Sequence, residues 1–186
     1  MEVRADARRN RSAITGAALR LAAERGEAVS MEDIARVAGV GVGTLYRHFP
    51  DRRALLEDIA VDTLRELIEA TRAQVGRASA WEALLRVVEL CVSLPLALIK
   101  SLLTNEPAHP DLPELEAQAN ALIAEIAAAA QREGDLRTDI PPTEVVRVLN
   151  VALCRCGARV DDHLTRVVLD GLRAAPLRRG GRAGVA

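Results

Sequence analysis

The residues able to do chemistry fall into two sets with different prospects. One set is the three cysteines, Cys91, Cys154 and Cys156, and the three histidines, His48, His109 and His163. None of these stands at metal-ligand spacing. Cys154 and Cys156, two positions apart on a helix, point about 200° away from one another, which suits neither a shared metal nor an intrahelical disulfide. No Gly-rich phosphate loop, G-x-S-x-G elbow or His-Glu-x-x-His pair occurs, so no catalytic site, no metal and no cofactor is expected. The other set is dense: Thr44, Tyr46, Arg47, His48 and Arg52 place hydroxyl, phenol, guanidinium and imidazole groups within a few residues. Those groups donate hydrogen bonds to phosphate oxygens and base edges.

The elements that would carry this second set are short and sharply punctuated. Ile14, Ala17, Ala18, Leu21 and Ala22 recur at helical spacing from about Asp6 to Arg25, with Gly26 as the stop. Ser30 offers an N-cap, and Ile34, Ala35 and Ala38 form one face of a two-turn helix ending at Gly39. Gly39-Val40-Gly41 reads as a tight turn whose glycines can take positive φ, and Val42 to Phe49 reads as a second short helix stopped by Pro50. Two short helices across a three-residue turn form a helix-turn-helix. Asp51 then caps a long helix to about Val75.

Beyond Gly76, helices are expected over 80–94, 96–103, 112–133, 142–159 and 161–174, about nine in all. They are separated by Pro95, the proline-rich segment 105–113, Gly134, Pro141-Pro142 and Gly157. The fold class is all-α, in keeping with 49% hydrophobic residues and only 2% aromatic ones. The division expected is a helix-turn-helix domain over 1–50, a helical ligand-binding and dimerisation domain over 51–175 and a disordered Gly- and Arg-rich tail over 176–186.

Charge supports this division. Residues 1–53 hold ten arginines against seven acids, a net charge of +3, leaving −4 for the remainder. A basic head on an acidic body suits a nucleic-acid surface confined to one end. An odd number of cysteines and the lack of an export signal at the charged N-terminus lead to a cytoplasmic expectation, with no membrane partner. The longest apolar run, Cys91 to Ile99, is too short to span a bilayer.

The stretch from Ile14 through Leu56 resembles the DNA-binding domain of the TetR/AcrR regulators. The resemblance rests on Ile14, Ala18 and Gly26, on Asp33-Ile34-Ala35 and Ala38-Gly39-Val40, and on the consecutive run Gly43-Thr44-Leu45-Tyr46-Arg47-His48-Phe49-Pro50. It implies a DNA-binding transcriptional regulator, a ligand-responsive repressor that binds a pseudo-palindromic operator in double-stranded DNA as a homodimer. Val42, Gly43, Thr44 and Arg47 would read base edges, and Tyr46, His48 and Arg52 would hold phosphates. Leu45 and Phe49 would face the core. Ser30 and Arg11 join the expected DNA contacts, Arg11 with Arg8 and Arg9 as an arm at the edge of the site. The sequence departs from the family at Gly41, Val42 and Ala22, which leaves fewer donors for base edges. An adaptor that has lost DNA binding is the rival reading, an enzyme the other.

The segment Gly134 to Val146 resembles the family's link into its last two helices, which implies that those helices pair across the dimer. Val145, Val148, Leu149, Ala152, Leu164, Val167, Val168 and Gly171 are the interface residues expected, an intrachain core being the alternative. An effector pocket is expected among the helices over 51–75, 80–94, 112–133 and 142–159, bounded by Leu67, Leu84, Val88, Cys91, Asn120, Ile123 and Asn150. Trp81 is the one aromatic beyond residue 51, so the effector is expected to be small or aliphatic rather than stacked between rings. Asn120 and Asn150 are the residues expected to orient it.

Overall fold

The computed structural model describes residues 2–25, 29–97, 100, 109–155 and 157–174, the side chains of 2–5, 8 and 22–25 excepted. Gly26, Cys156 and the tail over 176–186 lie outside the described residues, as do the side chains of Arg8 and Ala22 and most of the helix expected over 96–103. Eight helices are present among the described residues: α1 Glu2–Arg25, α2 Met31–Ala38, α3 Val42–His48, α4 Arg52–Arg72, α5 Ala80–Ser93, α6 Leu112–Glu133, α7 Pro142–Leu153 and α8 His163–Leu172. No helix among them is long and apolar enough to cross a membrane.

Local chemistry sets the boundaries of the head. Ser30 Oγ accepts the Asp33 N–H at 3.1 Å and starts α2. Gly39, at φ 70°, ends it in the left-handed conformation that a side chain would disfavour. Gly41 differs from expectation: its φ is −65°, so the turn uses one left-handed glycine and not two. Phe49 is extended, as a residue before proline must be, and α3 therefore stops there. Asp51 Oδ1 accepts the Ala54 N–H at 2.8 Å and starts α4.

Two hydrophobic cores result, and α4 belongs to both. Leu55 and Ile59 of α4 close the small core of the head with Ile14, Leu21, Ile34, Leu45 and Phe49. One turn further on, Leu64, Leu67 and Ile68 enter the larger core of the body with Leu84, Val88, Ile123, Ile126 and Val145. Burying these side chains contributes about 1.5–3 kcal/mol each. A single helix thus runs from the core of the head into the core of the body.

In the body, α6 packs against α4, α5 and α7. A capping box between Ser79 and Glu82 starts α5, and the Ala80 N–H donates to Glu133 Oε2 at 2.7 Å, tying this end to the last turn of α6. After Gly134 the chain forms a bridge between Leu136 and Arg173, with the Ala174 N–H bonded to Asp135 O at 2.9 Å. The Arg173 guanidinium carbon lies 5.4 Å from the centroid of the buried Trp81 ring.

The helix expected over 142–159 ends earlier, at Leu153. Gly157 adopts φ 72°, and Asp162 draws the backbone out of helical register by accepting the Arg159 and Thr165 N–H groups, each at 2.8 Å. The Asp162 carboxylate also pairs with Arg155. The Thr165 N–H bond foremost, with the Arg159 N–H and the Arg155 guanidinium, holds its pKa well below the ordinary carboxylate range. Its contribution to stability is therefore complete above about pH 4 and is lost as pH falls through the lowered folded value. The melting-temperature difference between wild type and Asp162→Ala should be constant from neutral pH to about pH 5 and shrink in stronger acid. A difference that grew in acid would contradict this capping role.

Candidate nucleic-acid interface and effector cavity

The recognition surface is built on α3, whose inner face is sealed and whose outer face is free. Leu45 and Phe49 are buried, four residues apart, against Ile34 and Ala35. On the other side Val42 (41%) and Tyr46 (43%) are exposed, along with Gly43 and Arg47, while Thr44 and His48 are half-buried. The Tyr46 hydroxyl donates to Glu32 Oε1 at 3.5 Å, a long and therefore weak bond. Glu32 was not foreseen, and nothing in a separation of fourteen residues would have revealed it. Arg52, half-buried, is the first residue of α4.

Two expected contacts are placed differently from the rest. Ser30 is exposed, but its hydroxyl is engaged with Asp33, accepting its N–H and donating to Oδ2 at 3.2 Å. Arg11 pairs with Asp58 of α4, and its guanidinium lies 5.8 Å from the centroid of the Phe49 ring. The Arg9 side chain pairs with Asp6 on its own helix.

A cavity of about 40 Å³ lies within the body. It is lined by five of the seven expected residues, Leu67, Cys91, Asn120, Ile123 and Asn150, joined by Leu64, Leu96, Ala119 and Cys154 and by Lys100 and Glu116. Leu84 and Val88 do not line it: they are wholly buried in the core, so truncating them would cost packing rather than change the cavity wall. Asn150 Nδ2 donates to Asn120 Oδ1 at 3.1 Å, and Lys100 Nζ stands 3.7 Å from Glu116 Oε1. Burial pushes the Cys91 thiol up to about 12 and raises that of Cys154 as well, so both stay protonated and unreactive at neutral pH. No cluster able to hold a metal ion occurs among the described residues.

The last two helices divide their apolar residues between two destinations. Val145, Leu149 and Ala152 are buried in the core of their own chain, which corrects the expectation that they line an interface with a second copy. Val148, Leu164 and Val167 are exposed, as is Gly171, and Val168 is half-buried. Val151, not foreseen, is the most exposed of the large apolar side chains among the described residues at 77%, followed by Val167 at 67%. A groove of about 410 Å³ runs between α7 and α8 beside them.

A three-helix head with a helix-turn-helix, joined by a shared α4 to an all-helical body that holds a partly open cavity, defines a class of regulatory protein. Residues 14–59 match the profile of bacterial regulatory proteins of the tetR family, and residues 78–174 match that of the SbtR-like transcriptional regulator C-terminal domain. Among solved structures, a TetR transcription regulatory protein from Mycobacterium vanbaalenii is 34% identical, with 92% of this chain and 99% of that one covered and a TM-score of 0.67. A gamma-butyrolactone receptor described as ArpA-like is 27% identical, covering 93% of this chain and 92% of its own, with a TM-score of 0.70. CprB from Streptomyces coelicolor, solved in complex with its operator, is 25% identical over 93% of this chain and 92% of its own, with a TM-score of 0.67. An HTH-type transcriptional regulator of Staphylococcus aureus (strain USA300) is 48% identical over 54 residues, which span 28% of this chain and only 29% of that relative. The chain belongs to the TetR family.

Proposed function

We propose that the protein is a ligand-responsive transcriptional repressor that binds a pseudo-palindromic operator as a homodimer. The observation that carries this reading is the outward face of α3, where Val42, Gly43, Thr44, Tyr46 and Arg47 gather on a helix whose other side is anchored by Leu45 and Phe49. Val42, Gly43, Thr44 and Arg47 meet base edges, and Tyr46, His48 and Arg52 bind phosphates. The operator complex of CprB lends support from a relative of similar fold. An anisotropy titration with DNA from the gene's upstream region, at two salt concentrations, tests it. Tyr46→Ala should weaken binding, and Arg52→Ala should in addition flatten the dependence of log affinity on log salt by about 0.9. Unchanged affinity in both variants would overturn the reading.

One short helix per protomer offers too few contacts for useful specificity, so two copies read the two half-sites. The exposed residues Val148, Val151, Leu164 and Val167 are the face on which the second copy docks. The effector is small, uncharged and mainly aliphatic: Leu64, Leu67, Leu96 and Ile123 give it an apolar wall, Lys100 and Glu116 already satisfy one another, and no ring is there to stack on. The Asn120–Asn150 pair orients it. Growth of the cavity around the effector presses on Leu64 and Leu67 of α4, whose other end carries Arg52, and the recognition helices leave their operator spacing. In a thermal-shift screen of neutral aliphatic compounds, Asn120→Leu should weaken the hits about tenfold, one lost hydrogen bond, while leaving operator affinity unchanged.

A further inference from the structure

Arg11 is an exposed-looking arginine near the basic end of the chain, and its surroundings give it a different task from phosphate binding. It precedes the fully buried Ile14 by one helical turn, so it stands on the core-facing side of α1 at the edge of the head. Its guanidinium meets two other elements there: the Asp58 carboxylate of α4 and the ring of Phe49, which is the C-cap of α3. Asp58 is the less exposed partner, with a side chain 18% exposed against 48% for Arg11. Its second oxygen, Oδ2, is buried without a hydrogen-bond partner among the described residues.

A carboxylate in that position depends on its counter-charge. Burial raises the Asp58 pKa, Arg11 lowers it, Asp62 raises it and His109 lowers it. If Arg11 swung out to a phosphate, Asp58 would be left beside Asp62 with one oxygen already unsatisfied, a costly state for a partly buried charge. The same guanidinium also holds the ring that ends the recognition helix. We propose that Arg11 is a positioning residue that fixes the recognition helix against α4 through Asp58 and Phe49, and that it does not contact operator DNA.

The proposal rests on the operator-binding reading for one of its readouts and is independent of it for the other. With a duplex selected from a random-sequence pool on the wild-type chain, Arg11→Gln and Asp58→Asn should each lower affinity about fivefold, the scale of a partly exposed ion pair, with the salt slope unchanged. In the DNA-free protein, hydrogen exchange at the α3 and Phe49 amides should quicken in both variants while the α6 amides keep their protection. Melting curves establish that each variant is folded at the assay temperature. A phosphate-binding Arg11 gives the opposite pattern: Arg11→Gln then flattens the salt slope by about 0.9, and Asp58→Asn, which removes a competing negative charge, binds as tightly as wild type or more tightly. That pattern overturns the proposal, and so do unaltered affinity or unaltered α3 exchange in both variants.

Discussion

The double variant Val151→Glu/Val167→Glu should sediment as a folded monomer and bind its operator about a thousandfold more weakly, near the level of non-specific binding. Both side chains are exposed by more than half, on the two helices that end the body, so neither change removes core packing, and each should alter protomer stability by no more than about 0.5 kcal/mol. Four carboxylates brought together across the two-fold axis of the proposed dimer, in contrast, would repel one another and strand charge in a face that would otherwise bury valine and leucine. Val145→Ala offers the complementary control. Val145 lies in the chain's own core, so its loss should lower the melting temperature and leave the monomer–dimer equilibrium unaltered. A double variant that stayed dimeric and kept its operator affinity would place the interface elsewhere.

Leu45→Ala should destabilise the head by about 2–5 kcal/mol and abolish operator binding, with the helices of the body retained in circular dichroism. Leu45 is fully buried in the small core of the head, a cluster that it shares with Ile14, Ile34, Phe49 and Leu55 and with the small Ala17, Ala18 and Ala35. A cavity there is hard to refill, because the short α2 is held only by its caps at Ser30 and Gly39 and the short α3 has no side-chain cap at its start. Val42→Ala, on the same helix but facing outward, should leave stability within about 0.5 kcal/mol and alter only the preference among operator sequences. Equal loss of stability in the two variants would contradict the division of α3 into a packed and a reading face.

The head was legible in the sequence because its boundaries are written in local chemistry. Ser30, Gly39, Pro50 and Asp51 act on backbone groups within three or four positions of themselves, so their effects can be read from spacing alone. The body resisted where the deciding partner is distant. Periodicity marks Val145, Leu149 and Ala152 as one apolar stripe, but it does not say whether the stripe meets its own α6 or a second copy, and here it is buried within the chain. The early end of α7 depends on Asp162, eight residues beyond Cys154, capturing the backbone N–H of Arg159. Leu84 and Val88 share a helix with Cys91, yet only Cys91 reaches the cavity. For the same reason Arg11 read as part of a basic arm: Asp58, its partner, is remote in sequence and close only in the fold.

The scarcity of aromatic rings has a practical side. The chain contains one tryptophan and one tyrosine, and the fold puts them at opposite ends of its working parts. Trp81 is buried in the body beneath the Arg173 guanidinium, while Tyr46 stands exposed on the recognition helix. Excitation at the red edge of the indole band, where phenol does not absorb, therefore reports the environment of the body alone, without any label. The protein carries a native optical probe of the body, whose melting can be set against the loss of helix over the whole chain in the same cuvette.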